Sequence, residues 1–329
     1  MNSLQEVFAK PIITLTLNPA LDLSTTTNHV HSGHKLRCHG SRIDPGGGGT
    51  NVARVIHRLG GHVLAAYTAG GTTGDTYRKL MEAEGIPALV LAVHGNTRQD
   101  FTVNEYSLGR QFRFVLEGAE LSDDEWHNFL GLVQRSIRAG GYVVASGSLP
   151  PGVPPDFYAR VARLARDADA RCVVDSSGPA LTEALAEGVF LVKPSRRELA
   201  EHTGVALDSD ESQIAAAMSL IAGGSAQFVA LTLAESGAIL ASRTGVVHLP
   251  APAVRMVSAV GAGDSFLGAL VLRLAQGHAP ESALRTAVAA GSAAVITPAT
   301  ELCRPEDVVR LEAALAAMVD VDGPHERRR

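Results

Sequence analysis

An aspartate stands at the predicted start of an apolar helix, directly behind two glycines. The segment reads Gly261-Ala262-Gly263-Asp264-Ser265 and continues into the apolar stretch 266–274. Glycines let a ligand approach backbone N–H groups, and a helix N-terminus adds unpaired donors and partial positive charge. This suits phosphoryl transfer, in which charge grows on the moving phosphate and a hydroxyl loses its proton. We interpret Asp264 as a general base and the backbone of Gly261, Ala262 and Gly263 as an anion hole. A plain N-cap aspartate is the alternative.

A run of four glycines precedes a second predicted helix. Gly46-Gly47-Gly48-Gly49 is followed by Thr50 and Asn51, and apolar residues then recur at helical spacing up to Leu59. Four glycines cost backbone entropy on folding, so a plain loop has little reason to use them. The run favours a close backbone approach to a ligand. It is not a P-loop, because no Gly-Lys-Ser/Thr follows at the required spacing.

Five charged side chains are further candidates. Asp22 follows the first predicted strand, at the edge where open α/β sheets bind ligands, and can accept hydrogen bonds from sugar hydroxyls. Lys35 and Arg98 are candidate phosphate contacts. Lys193 leaves a predicted strand, and Glu198 in the next helical turn can hold Mg²⁺ through water. Taken alone, Asp22, Lys35 and Arg98 are more typical of surface charges, and Glu198 in the first helical turn favours the helix dipole without any function.

Strand and helix patterns alternate along most of the chain, which predicts an α/β fold with a mostly parallel sheet covered on both faces. Strands are predicted at 12–17, 63–69, 88–93, 142–145, 172–175, 190–192 and 228–233. Helices are predicted at 50–59, 75–84, 155–168, 179–187, 196–202 and 210–222. Another helix is predicted to begin at a capping box at 122–125, and three more are predicted after Gly263. The segments 22–45 and 100–116 read as a small β lid within a single domain of 329 residues. The termini 1–10 and 320–329 read as loose.

Composition narrows the class of protein. Net charge is −5, which argues against a nucleic-acid or anionic-membrane surface. No apolar run is long enough to span a bilayer, and no signal-peptide pattern is present. The three cysteines are far apart and odd in number, which favours reduced thiols in the cytoplasm over a disulfide framework.

Together, these motifs resemble the ribokinase-like (PfkB) sugar kinases over roughly residues 12–318. The segment 46–53 resembles the N-terminal signature of that family and 260–265 the C-terminal one. The segment 14–22 resembles the start shared by 1-phosphofructokinases, tagatose-6-phosphate kinases and the second bacterial type of 6-phosphofructokinase. Gly48 stands where the first two groups usually have a lysine, and 97–100 and 146–152 also look closer to the third group.

The resemblance implies a three-layer α/β/α sandwich with a small β-strand lid, and transfer of the ATP γ-phosphate to the 1-hydroxyl of fructose 6-phosphate. It implies Asp264 as the base behind the Gly261 to Gly263 anion hole. Residues implied to hold the sugar phosphate are Asp22, Gly47, Gly48, Gly49, Asn51 and Arg98, with Lys35 and Ser148 nearby. Residues implied to border ATP are Lys193, Ser195, Thr232, Ala234, Gly237 and Ser292. Glu198 is implied to hold Mg²⁺ through water, and Ser258 and Val260, with backbone of 294–301, to bind K⁺. A homodimer through the lid is also implied, with neither nucleic acid nor membrane as partner.

Two residues depart from the family pattern. Ser195 stands where the metal motif usually has asparagine, and Ala234 replaces a usual glycine of the nucleotide loop. Fructose 1-phosphate and tagatose 6-phosphate stay open as alternative substrates. A dinucleotide-binding oxidoreductase is disfavoured because Phe266 stands where its glycine fingerprint needs glycine. A non-catalytic sugar-phosphate sensor is disfavoured by the intact Asp264.

Overall fold

The computed structural model describes residues 9–298 and 300–321, so the predicted loose termini lie almost entirely outside the described residues. Strands are β1 (Ile12–Thr16), β2 (Ala20–Thr27), β3 (His39–Gly46), β4 (Leu64–Ala69), β5 (Ala88–Ala92), β6 (Arg98–Glu105), β7 (Arg110–Phe114), β8 (Tyr142–Ser146), β9 (Arg171–Asp175), β10 (Val189–Val192), β11 (Ala226–Thr232), β12 (Ala238–Ser242) and β13 (Gly245–Leu249). Helices are α1 (Gly48–Arg58), α2 (Gly71–Ala83), α3 (Asp123–Ser136), α4 (Phe157–Asp167), α5 (Gly178–Glu187), α6 (Arg196–Thr203), α7 (Asp210–Ala222), α8 (Ala262–Ala275), α9 (Pro280–Val295) and α10 (Pro305–Val321). Among the described residues, no helix is both long and apolar enough to cross a membrane.

Nine strands form the central sheet in the order β13-β12-β11-β10-β9-β8-β1-β4-β5. Seven neighbouring strands of this sheet run parallel, as the alternating pattern predicts; in spatial order they are β11, β10, β9, β8, β1, β4 and β5. The chain winds outward from β1 to β5 and later outward from β8 to β11, so its direction reverses between β1 and β8. In open α/β sheets, ligands bind outside the carboxyl ends of the strands at such a reversal.

The hairpin of β12 and β13 at one edge was not predicted from the sequence. It continues the sheet antiparallel to β11, and its two strands have five residues each. Such short strands fall below the length at which apolar alternation is distinct. The available signal was the β-branched pair Val246 and Val247 directly after Gly245, which follows the turn at 243–244.

Helices cover both faces of the sheet, because side chains along each strand alternate between two cores. In β8, Val144 packs with residues of α1, α8 and α9, whereas Val143 packs with residues of α3 and α4. Local sequence fixes where helices begin. Ser122 caps α3 and Glu125 returns the bond to its backbone, which is the capping box predicted at 122–125.

The lid is a separate four-stranded sheet in the order β3-β2-β6-β7. Strand β2 pairs antiparallel with β3 and parallel with β6, so the lid sheet is mixed. Its two faces differ in chemistry. One face carries buried polar residues, among them Asp22, Ser24, Asp100 and Thr102. The opposite face, here called the outer lid face, is apolar and half-buried to exposed; it consists of Leu23, Ile43, Phe101, Val103, Phe112 and Phe114.

Candidate active site

The four glycines sit over the carboxyl ends of β1 and β8, at the reversal of the sheet. A Cβ on Gly48 would collide with Ser146 and the backbone of Gly147, and a Cβ on Gly49 would collide with the carbonyl of Leu15. Gly47 adopts φ 110°, a conformation that favours glycine. Close packing against the strand ends therefore requires these glycines, and it places the N-terminus of α1 at the ligand edge of the sheet.

Asp264 and Asn51 meet across this edge. Asn51 Nδ2, in the first turn of α1, donates a hydrogen bond of 2.9 Å to Asp264 Oδ2, in the first turn of α8. Gly261 caps α8 in the left-handed conformation with φ 74°. No side chain caps α8, so Asp264 does not act as its N-cap. The two glycine motifs, 213 residues apart in sequence, thus form one hollow with two helix N-termini.

The carboxylate of Asp264 is only half-buried, but its surroundings are poorly solvated. Burial, with repulsion from Asp175, raises its pKa to about 6, while the bond from Asn51 and the charges of Lys193 and Arg113 act in the opposite direction. At neutral pH the group is mostly ionised and close to its titration. A pKa near the working pH is what general-base catalysis requires.

Lys193 and Asp175 form a buried ion pair beside this hollow. Lys193 Nζ lies 3.0 Å from Asp175 Oδ1, and the lysine side chain is only 6% exposed. Burial disfavours the charge on Lys193, but Asp175, Glu198 and Asp264 together raise its pKa. Lys193 therefore stays charged, with its amine next to the backbone of Gly263 at the start of α8. This places a fixed positive charge where a phosphate would meet the anion hole.

Asp175 is a site residue that sequence reasoning missed. It ends β9, next to β10, and burial raises the pKa of its carboxyl despite the nearby Lys193. Ser146 Oγ donates a second bond to it at 3.4 Å. The signal was an aspartate at the end of the predicted strand 172–175, the same position along a strand that drew attention to Asp22.

Ser195 and Glu198 form a capping box at the start of α6. Ser195 N donates to Glu198 Oε2 at 2.8 Å, and Glu198 N donates to Ser195 Oγ at 3.3 Å. Serine thus replaces the usual asparagine without loss of the helix cap. Glu198 Oε1 has no hydrogen-bond partner within the described part of the chain. One free carboxylate oxygen suits a Mg²⁺ ion that keeps most of its waters. No cluster of three or more His, Cys, Asp or Glu side chains suited to direct metal binding occurs among the described residues.

The remaining residues predicted to border ATP lie on the neighbouring elements. Thr232, at the end of β11, bridges to Ser195, and its Oγ1 donates to the carbonyl of Pro194. The turn after it includes Ala234 with φ 53° and Gly237 with φ 95°. Ser292 is buried in α9.

Replacing Ala234 by glycine is expected to stabilise the protein. A side chain in the left-handed region is strained by roughly 1–2 kcal/mol, and glycine removes that strain at some cost in chain entropy. We expect the free energy of unfolding to rise by about 0.5–1 kcal/mol. Urea denaturation of Ala234→Gly measures it, with Ala259→Gly, a position without positive φ, as the matched control. If Ala234→Gly loses as much stability as Ala259→Gly, the backbone at Ala234 is not strained.

Asp22 and Arg98 meet on the polar face of the lid. Burial, then repulsion from Asp100, raises the pKa of Asp22 to about 7, although Arg113 and Arg98 act against it. Its carboxylate lies so close to Gly46 that a Cβ there would collide with it. Arg113, which the sequence analysis did not single out, thus acts on both Asp22 and Asp264.

Two predicted sugar-side residues differ in placement. Ser148 follows β8 and accepts a hydrogen bond of 3.1 Å from Asn18 Nδ2 at the same sheet edge. Lys35 is exposed in the segment between β2 and β3, and no hydrogen bond or ion pair to it occurs in the described residues. Within one chain, the structure therefore does not bring Lys35 to the hollow.

The two segments implied for K⁺ lie side by side. Ser258 N donates to the carbonyl of Val295, and Val260 N donates to Ser258 Oγ at 3.2 Å. Thr297 Oγ1 donates to the carbonyls of Ala294 and Leu302, at the two ends of the second segment. Hard cations take oxygen ligands, and this pair of segments supplies carbonyl and hydroxyl oxygens.

The fold and this hollow define a carbohydrate kinase. Residues 17–307 match the model of the pfkB family carbohydrate kinases, and the chain belongs to that family. It is 41% identical to the ATP-dependent 6-phosphofructokinase isozyme 2 of Mycobacterium tuberculosis, over 94% of this chain and 91% of that protein. It is 32% identical to the 1-phosphofructokinase of Bacillus subtilis, over 86% of this chain and 91% of that protein.

Crystal structures of phosphofructokinase-2 from Escherichia coli are also similar. A complex of that enzyme with fructose-6-phosphate matches with a TM-score of 0.88 and 38% identity, covering 93% of this chain and 99% of that one. A complex with potassium matches with a TM-score of 0.90 and 39% identity over the same shares. Another structure shows a tetrameric inhibited form of the same enzyme. The ribokinase-like fold class is thereby confirmed.

Proposed function

We propose that this protein is an ATP-dependent 6-phosphofructokinase, which transfers the γ-phosphate of ATP to the 1-hydroxyl of fructose 6-phosphate and gives fructose 1,6-bisphosphate. The hydrogen bond between Asn51 and Asp264 carries the proposal, because it joins the sugar-side glycine motif to the helix start that holds the base. The names of the relatives from Mycobacterium tuberculosis and Escherichia coli support the same substrate.

In the proposed reaction, Asp264 accepts the proton of the 1-hydroxyl as the oxygen attacks the γ-phosphorus of ATP. The amides at the start of α8 and the ammonium of Lys193 stabilise the charge that develops on the transferred phosphoryl group. The bond to the β-phosphate oxygen breaks, and ADP leaves with that electron pair. Asn51 orients the base through its bond to Oδ2 and leaves Oδ1 free to receive the proton.

Glu198 and Asp175 are the carboxylates that would hold Mg²⁺, Glu198 through water. Mg²⁺ held there would neutralise the phosphate charge of ATP. The segments around Ser258 and Val260 would hold K⁺, in line with the potassium complex of the Escherichia coli enzyme. Such an ion would add positive charge near the start of α8.

A panel of three sugar phosphates tests the substrate. We expect kcat/KM for fructose 6-phosphate to exceed that for fructose 1-phosphate and tagatose 6-phosphate, measured on one preparation by release of ADP. Gly48, in place of a lysine, is the motivating residue. A higher kcat/KM for either of the other two sugars would refute the proposed substrate but not the kinase class.

Replacing Arg98 by alanine is expected to raise KM for fructose 6-phosphate by roughly tenfold or more and KM for ATP by less than about twofold, because a charge-assisted contact to the sugar phosphate is lost. Arg98 lies on lid strand β6, whereas Lys193 follows β10 of the central sheet. Steady-state kinetics with each substrate varied in turn measures the split. Arg110→Ala, an exposed arginine on the same hairpin, is the matched control. Equal effects on both KM values would contradict the assignment.

We further propose that two copies pair through the outer lid face. Phe114 is 54% exposed and Ile43 49% exposed, and they lie with Phe101 on one continuous apolar surface. Monomeric proteins rarely leave such a surface open. Two copies placed face to face would bury it.

Replacing Phe114 by glutamate is therefore expected to convert a dimer into a monomer, because the charge would be buried in the interface. Light scattering coupled to size-exclusion chromatography measures the mass of each variant. Val205→Glu, which changes a residue 52% exposed elsewhere, is the matched control and should stay dimeric. Pairing through the lid is wrong if Phe114→Glu keeps the mass of the wild-type protein.

We also propose that the chain forms one kinase domain with the lid strands inserted in it, and that the protein is located in the cytoplasm. The cysteines support the location, since Cys38, Cys172 and Cys303 are all unpaired.

A further inference from the structure

Three aspartates stand in register across the polar face of the lid. Asp22 in β2 lies opposite Asp44 in β3 and opposite Asp100 in β6. Like charges directly opposite on neighbouring strands destabilise a sheet. Asp44 is neutralised, because Arg42 donates to both of its oxygens and Thr300 donates to it at 2.6 Å. Of the two neighbouring carboxylates, Asp100 therefore repels a charge on Asp22 more strongly than Asp44 does.

One carboxylate oxygen of Asp100 is hydrogen-bonded within the lid. Its Oδ1 accepts hydrogen bonds from Leu116 N at 3.0 Å and from Arg98 Nη1 at 3.2 Å. Arg98 Nη1 also donates to the carbonyl of Leu116 at 2.9 Å. Arg98 Nε is buried and has no hydrogen-bond partner among the described residues. Arg98 Nη2 donates to the carbonyl of Asn18 at 3.4 Å, so Asp100, Leu116 and Asn18 together hold the guanidinium in one orientation.

Asp22 differs from Asp100 in its hydrogen bonding. It is only 7% exposed, and no hydrogen bond to its carboxylate occurs in the described part of the chain. The groups that face it from the packed elements are Asp100 and Asp44 on the neighbouring strands, Arg98 and Arg113 on β6 and β7, and Tyr77 on α2. Its raised pKa follows from burial first and from Asp100 second.

From this arrangement we infer that Asp100 is a positioning residue for the sugar-phosphate site. It orients Arg98, and its negative charge favours the protonated form of Asp22, which accepts a hydrogen bond from a sugar hydroxyl more weakly than the carboxylate does. The inference rests on the proposed function and adds a pH dependence of sugar binding that the lid itself sets. Affinity for the sugar phosphate rises as the pH rises and Asp22 releases its proton to solvent.

Two substitutions separate the effect of the charge of Asp100 from the effect of its hydrogen bonds. Asp100→Asn keeps an oxygen that accepts from Leu116 and Arg98 but removes the charge. Asp100→Ala removes both. Glu105→Gln neutralises a carboxylate at the end of the same strand on the opposite face, where it bonds to His29, and is the matched control.

The dissociation constant of fructose 6-phosphate, measured by calorimetry without ATP from pH 6 to pH 8.5, tests the inference. The phosphate of the sugar titrates identically with every variant, so differences between profiles belong to the protein. We expect Asp100→Asn to bind about threefold to fivefold more tightly than wild type at pH 6 and equally at pH 8.5. We expect Asp100→Ala to bind about tenfold more weakly than wild type at pH 8.5. Glu105→Gln should follow the wild-type profile.

Superimposable profiles of wild type and Asp100→Asn would overturn the role of the charge. Wild-type affinity of Asp100→Ala at pH 8.5 would overturn the orientation of Arg98. Asp100→Asn is nearly isosteric and keeps the test valid should the alanine variant fail to fold. If wild type binds no fructose 6-phosphate at any pH, the proposed function fails instead.

Discussion

Replacing Asp264 by asparagine is expected to lower kcat by roughly 10²–10⁴-fold with little change in the KM for either substrate. Asparagine keeps the size of the side chain and can still contact Asn51, but it cannot accept a proton. Because burial raises the pKa of Asp264 to about 6, the wild-type rate should also fall as the pH drops below 6. Steady-state kinetics from pH 5 to pH 8 measures both effects.

Asn51→Ala is the companion variant. It removes the bond to Oδ2 without removing the base, and that bond lowers the pKa of Asp264. We expect the acidic limb of its pH profile to move to higher pH while substantial activity remains. An Asp264→Asn variant with near wild-type kcat would show that the proton goes elsewhere.

Replacing Lys193 by methionine is expected to destabilise the protein by about 3 kcal/mol at pH 8, because it leaves Asp175 buried without its partner. The pKa of Asp175 is already raised by burial, and loss of the lysine raises it further. A group with a raised folded-state pKa destabilises the fold as the pH rises, so the loss should be smaller at pH 5.5. Urea denaturation at the two pH values measures it.

The double variant Lys193→Met with Asp175→Asn separates stability from catalysis. We expect it to recover most of the stability, because the unpaired charge is gone. We expect KM for ATP to be higher than in the wild type in both variants, because the ammonium that would contact the phosphates is missing. Wild-type stability of Lys193→Met at pH 8 would mean that the pair at 3.0 Å contributes no net stabilisation.

The parallel sheet was predictable because strand and helix patterns alternate along the chain. The lid was predictable because the segments 22–45 and 100–116 do not fit that alternation. Helix starts with a serine and a glutamate three residues later, as at Ser122, were predictable because this pair marks a capping box. The β12–β13 hairpin was missed because strands of five residues carry too little alternation.

The site was only partly predictable. The glycine run stood out because a plain loop has little reason to use four glycines, and Asp264 stood out because it follows two glycines at the start of an apolar helix. Asp175 and Asp100 did not, because an aspartate at a strand end or in a lid strand gains meaning only from its neighbours across the sheet. The ligand-binding interpretation of the glycines was incomplete, since packing of Gly48 against Ser146 also requires them.

Identification of the product decides whether the protein is a 6-phosphofructokinase with Asp264 as its base. The purified protein is incubated with ATP, Mg²⁺ and fructose 6-phosphate, and phosphorus NMR follows the sugar product and ADP together. We expect fructose 1,6-bisphosphate in equal amount to ADP, and loss of both with Asp264→Asn. ADP release without a bisphosphate, or a bisphosphate formed equally well by Asp264→Asn, would contradict this expectation.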